Sequence, residues 1–127
     1  MDSVGFLLQE IRKRPGIYLG VKSLSALGRF MNGYTFRVSA ETWMKKTGLD
    51  FTANYDDFNN SLHLTRDSDS FDWSEFDQFI FAHYNVEMGA KNSQRIILEN
   101  SQSEDEAFDK FYELLDLYLD VQRTRIE

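Results

Sequence analysis

The segment SEDEAFDKFYELLDLYLDVQ, residues 103–122, constrains the fold of this chain more than any other. Its apolar residues recur every three to four positions, which places them on one face of an α-helix. Ser103 and Glu106 match a capping box, and the acidic residues at 104–106 suit the positive end of the helix dipole. The pattern predicts a helix over 103–123, with an apolar face formed by Phe108, Phe111, Leu114, Leu115, Tyr118 and Val121.

Other segments repeat this spacing. This is expected, because a helix with one apolar face requires other helices to bury that face. The spacing predicts helices over 3–13, 23–46 and 74–85, and a short one near 93–99. The chain is 42% hydrophobic and 15% aromatic, enough for one packed core. We therefore expect a mainly α fold, a single compact helical domain of four to five helices over residues 1–127. The expected core consists of Leu7, Leu8, Ile11, Leu27, Met31, Phe76, Ile80, Ile97, Phe111, Leu114, Leu115 and Tyr118.

Residues 49–70 are the least helical part of the chain. Two short alternating runs flank Asn59-Asn60, a pattern typical of a small hairpin or an irregular loop. After this segment, Ser74 and Asp77 match a Ser-x-x-Asp capping pattern. Further on, Ser93 is the expected N-cap of the short helix.

The stretch IRKRPGIYLG, residues 11–20, reads first as a helix end followed by a turn. The cations at 12–14 complement the negative end of the helix, and Pro15 disfavours helical geometry at the residue before it. Pro15-Gly16 is typical of a type II turn, in which Gly16 takes a positive φ. In the next helix, Gly28 and Gly33 each cost about 1 kcal/mol relative to alanine, which predicts close packing of another helix there.

Charge is unevenly distributed along the chain. Residues 1–49 carry a net charge of +5, residues 50–87 carry −8 and the whole chain carries −7. Phosphate contacts need clustered cations, so direct nucleic-acid binding is not expected. An acidic middle instead suits a basic partner, because opposite potentials speed up association. A solvated acidic surface that maintains solubility is the alternative.

Catalytic and metal-binding signatures are weak. The two histidines have structural explanations, since His83 falls in phase with a helix's apolar residues and His63 lies between two leucines. Asp67, Asp69 and Asp72 imitate a calcium loop, but residue 72 stands where an EF-hand needs glycine. The chain has no cysteine, and no hydrolase, zinc or P-loop motif occurs in it. We expect no enzyme activity, cofactor or metal.

One local resemblance concerns residues 11–20. They are similar to the VRKRPGMYIG-type stretch that opens the ATP-binding domain of DNA gyrase, which implies nucleotide binding. That domain also uses an asparagine on the following helix and an Asp-x-Gly-x-Gly loop. Here Asn32 stands in different surroundings, and no such loop occurs. A regulatory domain that holds a nucleotide or anion with Arg12, Lys13, Arg14 and the Gly16 turn remains the alternative.

A broader resemblance covers most of the chain. RKRPGIYLG, SLSALGRFMNGY, FDQFIFAHYN and RIILENSQSEDEAFDKFYELLDLYL follow one another as in a family of small bacterial immunity proteins. Members of that family accompany contact-dependent growth inhibition and other polymorphic toxins. The resemblance implies a protein without catalytic residues, which binds the C-terminal domain of a cognate toxin, often a nuclease, and neutralises it. The first residues have no basic stretch before their apolar ones and do not match a secretory signal, so a cytoplasmic location is expected. With no long apolar run, no membrane association is expected.

The acidic middle and its aromatic neighbours are the candidate partner-binding site. Trp and Tyr dominate the strongest contacts of protein interfaces, so exposed aromatics such as Phe58, Phe71 or Trp73 are candidates too. For Trp73, core packing is the favoured interpretation. The basic N-terminal end is the alternative location of the interface. The partner-binding residues predicted on this basis are Asp56, Asp57, Phe58, Asp67, Asp69, Asp72, Glu75 and Asp77.

Overall fold

The computed structural model describes residues 3–50, 52–60, 71–87 and 92–126 and contains, in these ranges, seven helices and no strand. They are α1 (Ser3–Lys13), α2 (Pro15–Leu19), α3 (Leu24–Thr47), α4 (Tyr55–Asn60), α5 (Trp73–His83), α6 (Ser93–Glu99) and α7 (Glu104–Ile126). The predicted compact, mainly α fold is confirmed, and the five predicted helices correspond to α1, α3, α5, α6 and α7. Within the described ranges, every helix is too short or too polar to cross a membrane.

The main core lies where α7 packs against α3, α5 and α6, with α1 against its side. Its residues come from the apolar faces that helical periodicity predicts. Every predicted core residue is buried there except Leu7, which is partly buried and packs against the core. Tyr112 was missing from the prediction and is buried as well.

Tyr112 and Arg12 fasten α1 to α7. The buried Tyr112 hydroxyl donates a 2.6 Å hydrogen bond to the carbonyl oxygen of Leu8, and burial raises the pKa of Tyr112. The Arg12 guanidinium donates to both carboxylate oxygens of Asp116, at 2.8 and 2.7 Å, and lies 5.2 Å from the centre of the Tyr112 ring. A bidentate pair of this kind fixes orientation as well as distance.

The stretch around Pro15 forms a second helix rather than a type II turn. Pro15 is the first residue of α2, a position where its fixed φ fits and its missing N–H costs nothing. The positive φ falls on Gly20, at 78°, whose N–H donates to the carbonyl of Gly16 at 2.9 Å. The predicted turn at Pro15-Gly16 is therefore wrong. Arg14 does lie at the end of α1, as predicted, and its N–H donates to Glu10 and Ile11.

Two helix caps lie one or two residues earlier than predicted. The cap of α5 is Asp72, whose side chain accepts from the N–H of Glu75 at 3.1 Å, and not Ser74. The cap of α6 is Asn92 and not Ser93. Carboxylate and amide oxygens compete well with serine for this role. At α7 the predicted cap Ser103 is correct, because it accepts from the N–H of Glu106 at 3.0 Å, whereas the Glu106 side chain accepts from the N–H of Gln102 and not from that of Ser103.

The far half of α3 carries a smaller apolar cluster, which consists of Ala40, Trp43 and Phe58. Phe58 belongs to α4, and its ring packs edge-on against Trp43 with centroids 5.6 Å apart. The hairpin considered around Asn59-Asn60 is therefore wrong, because α4 continues to Asn60. The helix buries Phe58, which an alternating pattern could not reveal. Residues 61–70 lie outside the described residues.

Gly28 and Gly33 differ in their surroundings. A Cβ at Gly28 would collide with the side-chain amide of Gln94 on α6, whereas one at Gly33 would meet nothing within 4 Å. The expected close packing is confirmed at Gly28 and wrong at Gly33.

We expect Gly33→Ala to raise the free energy of unfolding by about 0.5–1 kcal/mol. Gly28→Ala should gain less, or lose stability, since Gln94 must move. Urea denaturation of both variants checks this, and equal gains would contradict it.

Glu104 links the start of α7 to the start of α3. Its carboxylate accepts from the Ser25 hydroxyl at 2.6 Å, the Ser25 N–H at 2.9 Å and the Ser23 hydroxyl at 3.1 Å. The Ser25 hydroxyl bond is the main reason why the pKa of Glu104 is lowered from its usual 4.5.

A lowered pKa in the folded state makes this link dependent on pH. The stabilisation is fully present above the unfolded pKa and is lost as pH falls through the folded pKa. We expect Glu104→Gln to lower the free energy of unfolding at neutral pH, and the difference from the unsubstituted protein to vanish in acid. Urea denaturation between neutral pH and about pH 2, well below the ordinary pKa of a glutamate, measures it. Glu113→Gln is the control, since that carboxylate lies 3.5 Å from Lys110 on the same helix. A pH-independent difference would contradict the prediction.

Candidate binding surface

The predicted acidic residues take different positions in the structure. Asp56 and Asp57 lie in the first turn of α4 and are exposed. Asp72 caps α5, and Glu75 lies in the first turn of that helix. Asp77 accepts from the N–H of Ser93 at 3.4 Å and so joins α5 to α6. Asp67 and Asp69 fall outside the described residues. Among the described members of the predicted set, structural roles account for Asp72 and Asp77, and the α4 pair is exposed.

Phe58 is not an exposed interface residue. Its side chain is 0% exposed, beneath Phe36, Trp43 and Tyr55. The expectation that Phe58 is exposed is wrong, because helix formation turns this side chain toward α3. Its role is to hold α4 in place.

Two aromatic rings that were not predicted flank Phe58 at the surface. Phe36 is 45% exposed, with its ring 5.6 Å from that of Phe58, and Tyr55 is 49% exposed, with its ring 6.2 Å away. Together with Asp56 and Asp57 they form what we call the α4 patch. Phe36 lies outside the face of α3 that carries the buried residues Leu24, Leu27 and Met31. A large apolar residue away from that face is the sequence signal that could have identified it.

Phe71 and Trp73 pack against the main core rather than forming a separate exposed surface. The Trp73 ring stacks on that of Phe111 at 6.5 Å and meets Phe71 edge-on at 4.8 Å. Trp73 remains half-buried, so one part of it faces the core and another part is accessible. Core packing is therefore the correct interpretation of most of its surface.

The basic stretch at 12–14 is a poor anion cradle. The guanidinium of Arg12 already pairs with Asp116. The N–H groups of Ile17 and Tyr18 donate to the carbonyl of Arg14, so they do not point at a ligand. Phosphate-binding loops depend on backbone N–H groups that converge on the anion. The arrangement argues against the nucleotide-binding alternative.

Histidine and acidic side chains do not gather into a metal site within the described ranges. His83 is exposed rather than buried, and its ring stacks on that of Phe79 at 6.4 Å. The expected burial of His83 is wrong, because its side chain lies on the solvent side of the last turn of α5. His63 lies outside the described residues.

Comparison with models of protein families, with curated proteins and with solved structures gives no match to this chain. Its described surface includes the α4 patch, where two exposed aromatic rings lie beside two exposed carboxylates. Such a surface can bind a protein by contact and charge, without any reacting group.

Proposed function

We propose that this protein is an immunity protein, which binds a cognate bacterial toxin domain through the α4 patch and neutralises it by occlusion. The exposed rings of Phe36 and Tyr55, placed beside Asp56 and Asp57, carry the proposal. The order of sequence blocks that resembles immunity proteins supports it independently.

The aromatic part of the α4 patch supplies contact energy. Tyr55 presents a large, stiff side chain with a polar tip, the kind of residue that contributes most to protein interfaces. The buried Phe58 lies directly beneath it and holds the helix that carries it. Because Phe58 already positions this helix, ordering it on binding costs less conformational entropy than ordering an unstructured loop would.

The acidic part of the α4 patch supplies attraction to a basic partner. Nucleases and other proteins that act on nucleic acid carry clustered cations, because they must contact phosphates. Residues 50–77 carry a net charge of −7, and the chain as a whole also carries −7. If such a toxin binds the α4 patch through its own cationic surface, the surface that contacts the nucleic acid is covered. Occlusion alone then stops the reaction.

The test is genetic and biochemical. The reading frame beside the gene for this protein should encode a large toxin with a variable C-terminal domain. Cells that express this domain should survive when the protein is co-expressed, and the two purified partners should form a complex with a dissociation constant in the nanomolar range, about 12 kcal/mol of binding free energy. A toxin that kills equally in the presence of the protein, or that does not bind it, would refute the proposal.

A nucleotide titration tests the alternative on the isolated protein. We expect no binding of ATP, because the N–H groups of Ile17 and Tyr18 are already used. ATP bound at micromolar strength, and lost when Arg14 is replaced by alanine, would instead favour the regulatory nucleotide-binding domain. Isothermal titration calorimetry distinguishes the two results.

A further inference from the structure

A cleft of about 280 Å³ lies between the first half of α3 and the starts of α5 and α6. Ligand pockets begin at about this size, which suits a small molecule. Its lining residues are Leu24, Leu27, Gly28, Met31, Asn32, Thr35, Trp73, Asp77, Asn92, Ser93, Gln94 and Phe111. The cleft is separate from the α4 patch, which contacts the other half of α3.

The walls of this cleft are apolar and aromatic. Leu27, Met31 and Phe111 are buried members of the main core, and Trp73 is half-buried beside them. Gly28 widens the cleft on the α3 side by having no side chain, and the amide of Gln94 packs over it. An apolar body of a few carbon atoms would lose water-exposed surface on entering, which favours binding.

Asp77 is the only ionisable side chain that lines the cleft in the described part of the chain. Its Oδ1 atom accepts from the N–H of Ser93 at 3.4 Å, a long hydrogen bond that leaves the carboxylate with further capacity to accept. Trp73 precedes it by four residues on α5, so both side chains lie on the same face of that helix. A carboxylate and an indole side by side are the two groups that recognise an organic cation.

We infer that this cleft binds a small organic cation, an alkylammonium or alkylguanidinium whose apolar chain lies on Met31 and Trp73 and whose charged head meets Asp77. The net charge of the lining favours a cation over a neutral or anionic molecule of the same shape. The exposed side chain of Asn32 at the rim offers an oxygen atom that accepts one of the remaining N–H groups of the head, whereas the Asn92 oxygen already caps α6. This inference does not depend on the proposed function.

A matched series of ligands tests the charge preference. Hexylammonium, hexanol and hexanoate share one chain and differ in the head group. We expect hexylammonium to bind with a dissociation constant on the order of millimolar or tighter, hexanol at least about tenfold more weakly, and hexanoate not at all. The two indole N–H signals in a ¹H–¹⁵N spectrum give the readout, since that of Trp73 should shift and that of Trp43 should not.

Three variants locate the site. Asp77→Asn should remove the preference for hexylammonium over hexanol while hexanol binding persists, which also shows that the variant is folded. Asn32→Phe places a ring at the exposed edge of the cleft and should block both ligands. Asp120→Asn changes the charge equally on the outer face of α7 and should change nothing.

Several results would overturn the inference. They are equal binding of hexylammonium and hexanol, an unchanged preference in Asp77→Asn, and the absence of saturable binding by hexylammonium. N-acetyl-lysine methylamide carries the same ammonium group on a peptide unit. Its binding distinguishes a lysine side chain of another protein from a free amine as the natural ligand. Binding as tight as that of hexylammonium indicates a lysine side chain, and weaker binding indicates a free amine.

Discussion

Replacing Phe76 with alanine is expected to lower the free energy of unfolding by about 3–5 kcal/mol, the largest loss for any single side chain of the main core. Phe76 is 0% exposed and lies at the centre of the aromatic part of the core. Its ring centroid is 5.5 Å from that of Phe111, 5.4 Å from that of Tyr118, 5.7 Å from that of Phe71 and 6.3 Å from that of Trp73. Alanine would leave a cavity that four rigid rings cannot fill by small movements.

Phe79→Ala is the matched control for this prediction. Phe79 lies on the same helix and also contacts Tyr118, at 5.4 Å between centroids, but it is only partly buried. Its replacement should cost less than half as much, because water already reaches part of the ring. Urea denaturation at pH 7 measures both values. A typical domain has only about 5–15 kcal/mol of stability, so Phe76→Ala should lower the midpoint markedly. Equal costs for the two variants would contradict the central position of Phe76.

Replacing Tyr55 with alanine is expected to weaken toxin binding about thirtyfold or more, as for an aromatic residue at the centre of an interface. The side chain is 49% exposed, so its loss should leave the free energy of unfolding nearly unchanged. Surface plasmon resonance with the toxin domain measures affinity, and circular dichroism verifies the fold. The same variant should protect cells less well.

Reversing the charges of Asp56 and Asp57 to lysine should act mainly on the rate of association. Opposite potentials accelerate encounter, so we expect the double reversal to slow association about tenfold and to remove most of its dependence on salt. Glu113→Lys with Asp120→Lys is the matched control, since these carboxylates lie on the exposed face of α7. If binding survives reversal of Asp56 and Asp57 but fails when the cations at 12–14 are replaced, the interface lies at the basic end.

Long helices could be predicted from the sequence because each contains many residues that follow the helical spacing of apolar positions. α3 and α7 span 24 and 23 residues, long enough for apolar spacing to repeat over several turns. α2 and α4 have five and six residues, fewer than two turns, and periodicity cannot emerge over that length. Pro15 could be read equally as a helix stop and a helix start, and the structure uses it as both.

The candidate site was harder to predict, since it depends on contacts between distant segments. The residues next to Phe58 in the sequence are polar and typical of an exposed loop. Its burial is explained by contact with Trp43, which is distant in sequence but adjacent in space. Tyr55 lies three positions before Phe58, on the same side of α4, and its ring covers that of Phe58 while remaining 49% exposed. Asp72 looked like one of several surface acids, yet the N–H of Glu75 engages it as a cap. Charge counting locates an acidic segment but does not identify which carboxylates face a partner.

The separation of the two apolar clusters along α3 has a consequence for how the molecule opens. At about 1.5 Å per residue, this helix is roughly 36 Å long, and the main core covers only its first half. α4 is therefore held by the ring of Phe58 and its aromatic neighbours, rather than by the seven-helix assembly as a whole. Amide hydrogens in α4 should exchange with solvent through a local opening, at a lower free energy than those of α7. A partner that binds there would slow their exchange first, so partner binding would be measured as a gain of protection in α4.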